Sequence, residues 1–188
     1  MTPPPVVRTV GHSTRALEDL IALLRTHGVG TVVDVRTVPR SRRNPQFNRE
    51  TLPDHLSAAG LRYVHLPGLG GLRRPRPDSV NRGWRNASFR GYADHMQSPP
   101  FAANLDALLR LARRASIAVM CAEAVPWRCH RFLIADALLV RGVHVEHIMS
   151  PTRRDPHVLT SWARVTGDQI TYPAQSARAA SQLPYEGT

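Results

Sequence analysis

Short β-branched runs alternate with amphipathic stretches along most of this chain. Val6-Val-Arg-Thr-Val10 suits a strand and runs into Gly11-His-Ser-Thr14, where Ser13 or Thr14 can cap an amphipathic helix from Ala16 to His27. Gly28 and Gly30 stop that helix, and Thr31-Val-Val-Asp-Val35 makes a second strand leading into a basic, proline-rich loop from Arg36 to Phe47. A short helix from Thr51 to Ala59 is closed by Gly60, and Leu61-Arg-Tyr-Val-His-Leu66 reads as a third strand ending at Pro67-Gly-Leu-Gly-Gly71. After an irregular stretch come helical pieces at Phe89 to Met96 and Pro100 to Arg114, a buried strand at 116–121, a helix over about 129–141, and a fifth strand from Val143 to Ile148.

Strands alternating with helices, joined by crossovers long enough for parallel pairing, predict an α/β fold: one domain with a mostly parallel five-stranded sheet and helices on both faces. The length of 188 residues fits a single core. The domain is expected over 1–150, with 151–188 a C-terminal extension that is partly disordered after about residue 172, where Ala, Ser, Gln and Pro accumulate. No apolar run approaches a membrane span, and Met1-Thr-Pro-Pro-Pro5 lacks the basic-then-apolar pattern of a secretory signal, so the expected location is cytoplasmic, with no membrane partner. Two cysteines eight positions apart do not make the dense framework of a small secreted protein and read as thiols or metal ligands.

Charge narrows the class of partner. All 25 cationic side chains are arginine, and the span 36–90 holds twelve of them against Glu50, Asp54 and Asp78, which is +9 of the net +11. The planar guanidinium fork suits phosphate or carboxylate, so an anionic ligand such as a nucleotide or a nucleic acid is the expected partner; a solvated basic surface is the plainer alternative.

In a parallel sheet the carboxyl ends of all strands share one edge, so the segments that follow them become neighbours. Those segments carry the unusual residues: Gly11-His12-Ser13, Asp34 with Arg36, the loop with Arg42, Gly68-Leu-Gly-Gly71, and Cys121-Ala-Glu123 through Arg128, Cys129, His130 and Arg131. His12, Cys121, Glu123 and His130 are the candidate catalytic groups; Ser13, Arg36, Arg42, Gly70, Gly71, Arg128 and Arg131 are the candidate anion-binding ones. Each has an ordinary explanation too. The glycines suit a sharp turn with positive φ, Asp34 and Arg36 a structural ion pair, and Trp84 either a core position or a platform for a base. Cys121 has three readings: an apolar filler at a strand end, a nucleophile whose thiolate Arg128, Arg131 and the following helix favour, or a zinc ligand with Cys129 and His130, to which His12 could be added. The adjacency of Cys129 and His130 suits a zinc knuckle poorly, so no residue is assigned to a metal, and no cofactor is identified.

Gly11-His-Ser, Asp34-Val-Arg, Pro39 with Ser41-Arg and Pro45-Gln-Phe, His65-Leu-Pro-Gly-Leu-Gly-Gly71, Arg90-Gly-Tyr92, and Cys121-Ala-Glu with Cys129-His-Arg131 together resemble domain of unknown function family 488 (DUF488) over roughly residues 6–150. The resemblance implies a small α/β domain bearing these polar motifs and supplies no reaction. A looser similarity in layout, Asp34-Val-Arg36 followed downstream by strand, Cys121, arginine and helix, points to rhodanese-like and cysteine-phosphatase domains. Arg128 lies seven positions past Cys121, however, and Glu123 would repel an anion from such a loop.

These readings converge on an enzyme acting on a phosphorylated, nucleotide-like or nucleic-acid substrate at the carboxyl edge of the sheet. A non-catalytic nucleic-acid-binding module is the alternative, and a rhodanese-like sulfurtransferase or cysteine phosphatase the second alternative.

Overall fold

The structure, a computed structural model, describes residues 5–174; the sequence from residue 175 onward, where much of the expected disordered tail lies, falls outside the described residues. Six strands form the main sheet: β1 (Val6–Gly11), β2 (Thr31–Asp34), β3 (Arg62–His65), β4 (Ile117–Cys121), β5 (His144–Ser150) and β6 (Arg153–Pro156). Their order is β3-β2-β4-β1-β5-β6, with the first five parallel and β6 antiparallel to β5. The sheet therefore has one strand more than periodicity predicts. Arg153-Arg-Asp-Pro156 carries no apolar alternation, and a charged, proline-ended segment of this kind is what an exposed sheet edge tolerates. A separate hairpin, β7 (Arg164–Thr166) and β8 (Gln169–Thr171), turns at Gly167, whose φ is +58°.

The helices are α1 (Leu17–Thr26), α2 (Leu52–Ala58), α3 (Ala87–His95), α4 (Pro99–Ala112) and α5 (Arg131–Val140). Two starts differ from expectation for local reasons. Ser13 takes a left-handed φ of 51°, so neither it nor Thr14 caps α1, whose N-cap is Ala16. Asn86 caps α3 by accepting from the Ser88 and Phe89 amides, which begins that helix two residues early.

Alternate strand residues feed two cores. Val10, Val32, Ala118 and Met120 pack with α1 and α2, while Val7, Val33, Ile117 and Val119 pack with α3, α4 and α5. The chain steps outward from β1 through α1 and α2 to β3 on one face, then returns through α3 and α4 to β4, and through α5 to β5, on the other. The helices that follow β1 and β4 cover opposite faces although the two strands are neighbours, so the crevice of this sheet lies beyond the paired Gly11 and Cys121. Among the described residues no helix is long and apolar enough to cross a membrane.

Beyond β5 the chain is tied to the domain through a buried polar chain. Thr9 Oγ1 lies 2.7 Å from His147 Nδ1, His147 Nε2 lies 3.1 Å from His157 Nδ1, and His157 Nε2 lies 2.8 Å from Asp136 Oδ1. With Asp136 as acceptor, one polarity satisfies every link: His157 Nε2–H donates to Asp136, His147 Nε2–H to His157, and the Thr9 hydroxyl to His147. Burial, reinforced by His157 and Arg131, pulls His147 down to about 3 from its ordinary 6.5. The neutral ring is thus the folded form, and the unfolded chain binds the extra proton between those two values. Stability is fully present above pH 6.5 and falls as pH drops toward 3, by at most about 1.4 kcal/mol per pH unit for this one group. Urea unfolding at a series of pH values, compared with His147→Gln, should show the acid slope shallower in the variant.

Candidate functional site

Past the end of the sheet the loops after β1 and β4 stay paired. The His12 amide donates to the Cys121 carbonyl at 3.0 Å and the Ser13 amide to the Ala122 carbonyl at 2.9 Å. Gly11 is required by this closeness, because a Cβ there would lie 1.9 Å from the Glu123 carbonyl oxygen. On the far side Arg131, 1 % exposed, donates to the carbonyls of Glu123 and Ala124. Arg131, expected to bind an anion, therefore braces the cysteine loop from within and does not line the cavity that opens above it. That cavity, of about 560 Å³, is reached by His12, Ser13, Arg36, Gly71, Cys121, Glu123, Arg128 and His130 from four separate strand ends.

Asp34, fully buried, is the anchor of one wall. Its carboxylate accepts from the backbone N, Nε and Nη2 of Arg36 and from the Tyr63 hydroxyl at 2.8 Å. Burial, then Asp34, raises the Tyr63 phenol above its ordinary range, so it stays a donor. Arg36 also reaches the Phe47 carbonyl at 2.7 Å and His12 Nε2 at 3.1 Å. Since a guanidinium only donates, His12 Nε2 accepts and His12 carries its proton on Nδ1, 2.9 Å from the Ser13 carbonyl. Burial above all, and Arg36, lower its pKa, and Phe47 lies against the ring at a centroid distance of 4.2 Å. With both nitrogens engaged, His12 holds Arg36 in place and has no free lone pair for proton transfer. The ordinary reading of Asp34 and Arg36 as a structural pair describes most of what they do here.

The opposite wall is sulfur and imidazole. Cys121 Sγ and Cys129 Sγ lie 4.0 and 3.7 Å from His130 Nδ1, and the three atoms fall within 4.8 Å of one another. The Cys129 thiol donates to Cys121, and His130 and the Glu123 amide add to it; together they outweigh burial and set the Cys121 thiol well below its usual range. Cys129 moves the other way, raised by holding that hydrogen bond and by its own burial. Cys129 has a donor of its own, the Arg131 amide at 3.5 Å. The same three donors could accept a soft cation, with only three protein atoms to offer it. His130 Nε2 is buried without a hydrogen-bond partner among the described residues.

Arg40, Arg43 and Arg128 line the cavity with exposed side chains, whereas Arg42, equally exposed, and Gly70 do not line it. Arg40 and Arg43 share a side that adjacent Arg42 does not, a consequence of the loop's turns at Ser41 and Asn44 that no sequence periodicity marks. The glycines act by close approach, not by positive φ. A Cβ on Gly70 would meet Thr37 Oγ1 at 2.3 Å, and one on Gly71 would meet His130 Nδ1 at 3.0 Å. Trp84 packs against Phe89, Trp162 and Tyr172, with centroids 4.9, 5.2 and 5.5 Å away, and is no platform for a base. No sequence pattern marks Tyr63, which orients Asp34, while the Pro45-Gln-Phe47 motif is the available signal for Phe47, which lies against His12.

Comparison with curated proteins and with solved structures finds no match, so the layout likeness to rhodanese-like domains gains no support. A family model does match, over residues 16–138, which takes in α1, the arginine-rich span, the glycine turn and the whole cysteine loop. That stretch is well over half of the chain, and the chain therefore belongs to the family described as Domain of unknown function DUF488.

Proposed function

We propose that this protein is an enzyme in which the Cys121 thiolate attacks a phosphorylated or nucleotide-like substrate held by Arg40, Arg43 and Arg128. One observation carries this reading: the Cys121 sulfur lies on the cavity wall at the end of β4, with His130 Nδ1 4.0 Å away and Cys129 Sγ within 4.8 Å. A nucleophilic cysteine needs such neighbours, because the thiolate and not the thiol reacts. The arginines neutralise the substrate and orient it above the sulfur. Glu123, half-buried on the same wall, supplies a carboxylate for proton transfer to the leaving group. Ser13 and Gly71 shape the walls, and Arg36 with His12 keeps the β1 and β2 ends rigid. Non-catalytic binding of nucleic acid has less support, because Trp84 is committed to its aromatic cluster.

Alkylation with iodoacetamide tests the reading without knowledge of the substrate. Cys121 should be modified before Cys129, with a pH midpoint below the ~8.5 of an ordinary cysteine. Cys129→Ala, by removing the strongest donor, should move that midpoint upward, and inorganic phosphate should slow modification. A midpoint at or above ~8.5, or preferential labelling of Cys129, overturns the proposal.

A further inference from the structure

We propose that Cys121 and Cys129 form a reversible dithiol–disulfide couple oxidised by hydroperoxides, with Cys121 as the attacking thiolate and Cys129 as the resolving thiol. This rests on the reading of Cys121 as the ionised, reactive cysteine and adds a second substrate class and a role for Cys129. The chain has two cysteines, eight positions apart, and the fold returns the second to the first. Both are free, both are buried, and both sulfurs face His130 Nδ1, with the three atoms within 4.8 Å of one another. A disulfide needs the sulfurs about 2.05 Å apart, a closure of under roughly 3 Å. Side-chain rotation, together with the short Pro126–Arg128 turn that delivers Cys129, can supply that movement while Arg131 holds the loop at Glu123 and Ala124.

The arrangement also separates the two roles. Both cysteines line the cavity, and Cys121, at the end of β4, is the more exposed of the two at 7 % against 4 %. A small hydroperoxide entering by the cavity reaches both sulfurs and reacts at Cys121, the more exposed one. The thiolate sulfur bonds to one peroxide oxygen, the O–O bond breaks, and the alkoxide or hydroxide leaves, giving Cys121 sulfenic acid. The leaving group takes the Cys129 proton; the new Cys129 thiolate attacks the Cys121 sulfur, the S–O bond breaks, and hydroxide departs. In total, Cys121 thiolate, Cys129 thiol and ROOH become disulfide, ROH and hydroxide: the two sulfurs lose two electrons and the peroxide gains them. Two equivalents of a small thiol return the dithiol by exchange.

The test uses the full chain at neutral pH after chelator treatment, exposed to hydrogen peroxide and then denatured for thiol counting and intact mass. Wild type should lose both titratable thiols and two hydrogen masses, and dithiothreitol should restore them. Cys129→Ser should stop at sulfenic acid, trapped as a dimedone adduct on Cys121, and Cys121→Ser should keep its remaining thiol under the same exposure. Retention of both wild-type thiols, or their loss as sulfinic acid without a disulfide, overturns the couple. If Cys121 still alkylates with a depressed midpoint in that case, the couple alone fails; if it does not, the nucleophile reading fails with it.

Discussion

Asp34→Ala is expected to lower the unfolding free energy by about 3–5 kcal/mol, because it leaves Arg36 charged and buried with its ion pair removed. Arg36 is 8 % exposed and loses three of its hydrogen bonds at once, through its backbone N, Nε and Nη2, while Tyr63 loses its acceptor. For a chain of this size that change corresponds to a melting temperature lower by roughly 6–20 °C. Replacing the pair together, Asp34→Leu with Arg36→Met, should recover a large part of the loss, since two apolar groups need no desolvation of charge. Urea unfolding of the wild type and both variants measures the difference. A loss under about 1 kcal/mol in Asp34→Ala would mean that Arg36 finds water when its partner goes, as a surface pair does. The site should register the change as well. Arg36 holds His12 and the Phe47 carbonyl, and its loosening should broaden the pH profile of Cys121 alkylation across the shared β1–β4 turn.

The legible part of this fold was the part written in apolar periodicity. The β-branched runs at Val6, Thr31 and Ile117 and the amphipathic stretches between them led to the parallel sheet, and the parallel sheet brought His12, Arg36, Gly71 and Cys121 to one cavity. What periodicity lacks is direction and partnership. Arg128 and Arg131 are three residues apart; Arg128 ends the Pro126–Arg128 turn and faces the cavity, while Arg131 opens α5 and is buried against carbonyls. Arg42 and Arg43 are adjacent and diverge as well. β6 escaped because its four residues obey the rules of an exposed edge and not of a core. Fading periodicity sets the residues after Pro151 apart as an extension, yet Ile170 and Tyr172 are buried in the core that α3, α4 and α5 share. Their contacts come from single well-placed side chains separated by polar loop, a pattern with no period to detect.

Asp136→Ala should be comparably damaging, and its effect should be concentrated in those late residues. The carboxylate, fully buried on α5, accepts from His157 Nε2 at 2.8 Å, the Thr160 amide at 3.1 Å, Thr160 Oγ1 at 2.7 Å and the Tyr172 hydroxyl at 2.8 Å. All four donors belong to the segment that follows β5, so one side chain ties that segment to the domain. Removing it strands buried donors, each costing about 1–3 kcal/mol unless water enters, and a net loss of about 3–5 kcal/mol is expected. Asp155→Ala is the control: its partner Arg153 is exposed, and loss of that pair should cost under about 1 kcal/mol. Amide exchange gives the location. In Asp136→Ala the Thr160 amide and the Tyr172 amide, which donates to Asn81 Oδ1 at 2.9 Å, should lose protection well before the β1 and β4 amides do. Uniform loss of protection across the sheet would instead mean that α5 itself depends on Asp136. The cysteine loop would then be affected as well, because Arg131 and the Cys129-His130 pair sit at the start of the same helix.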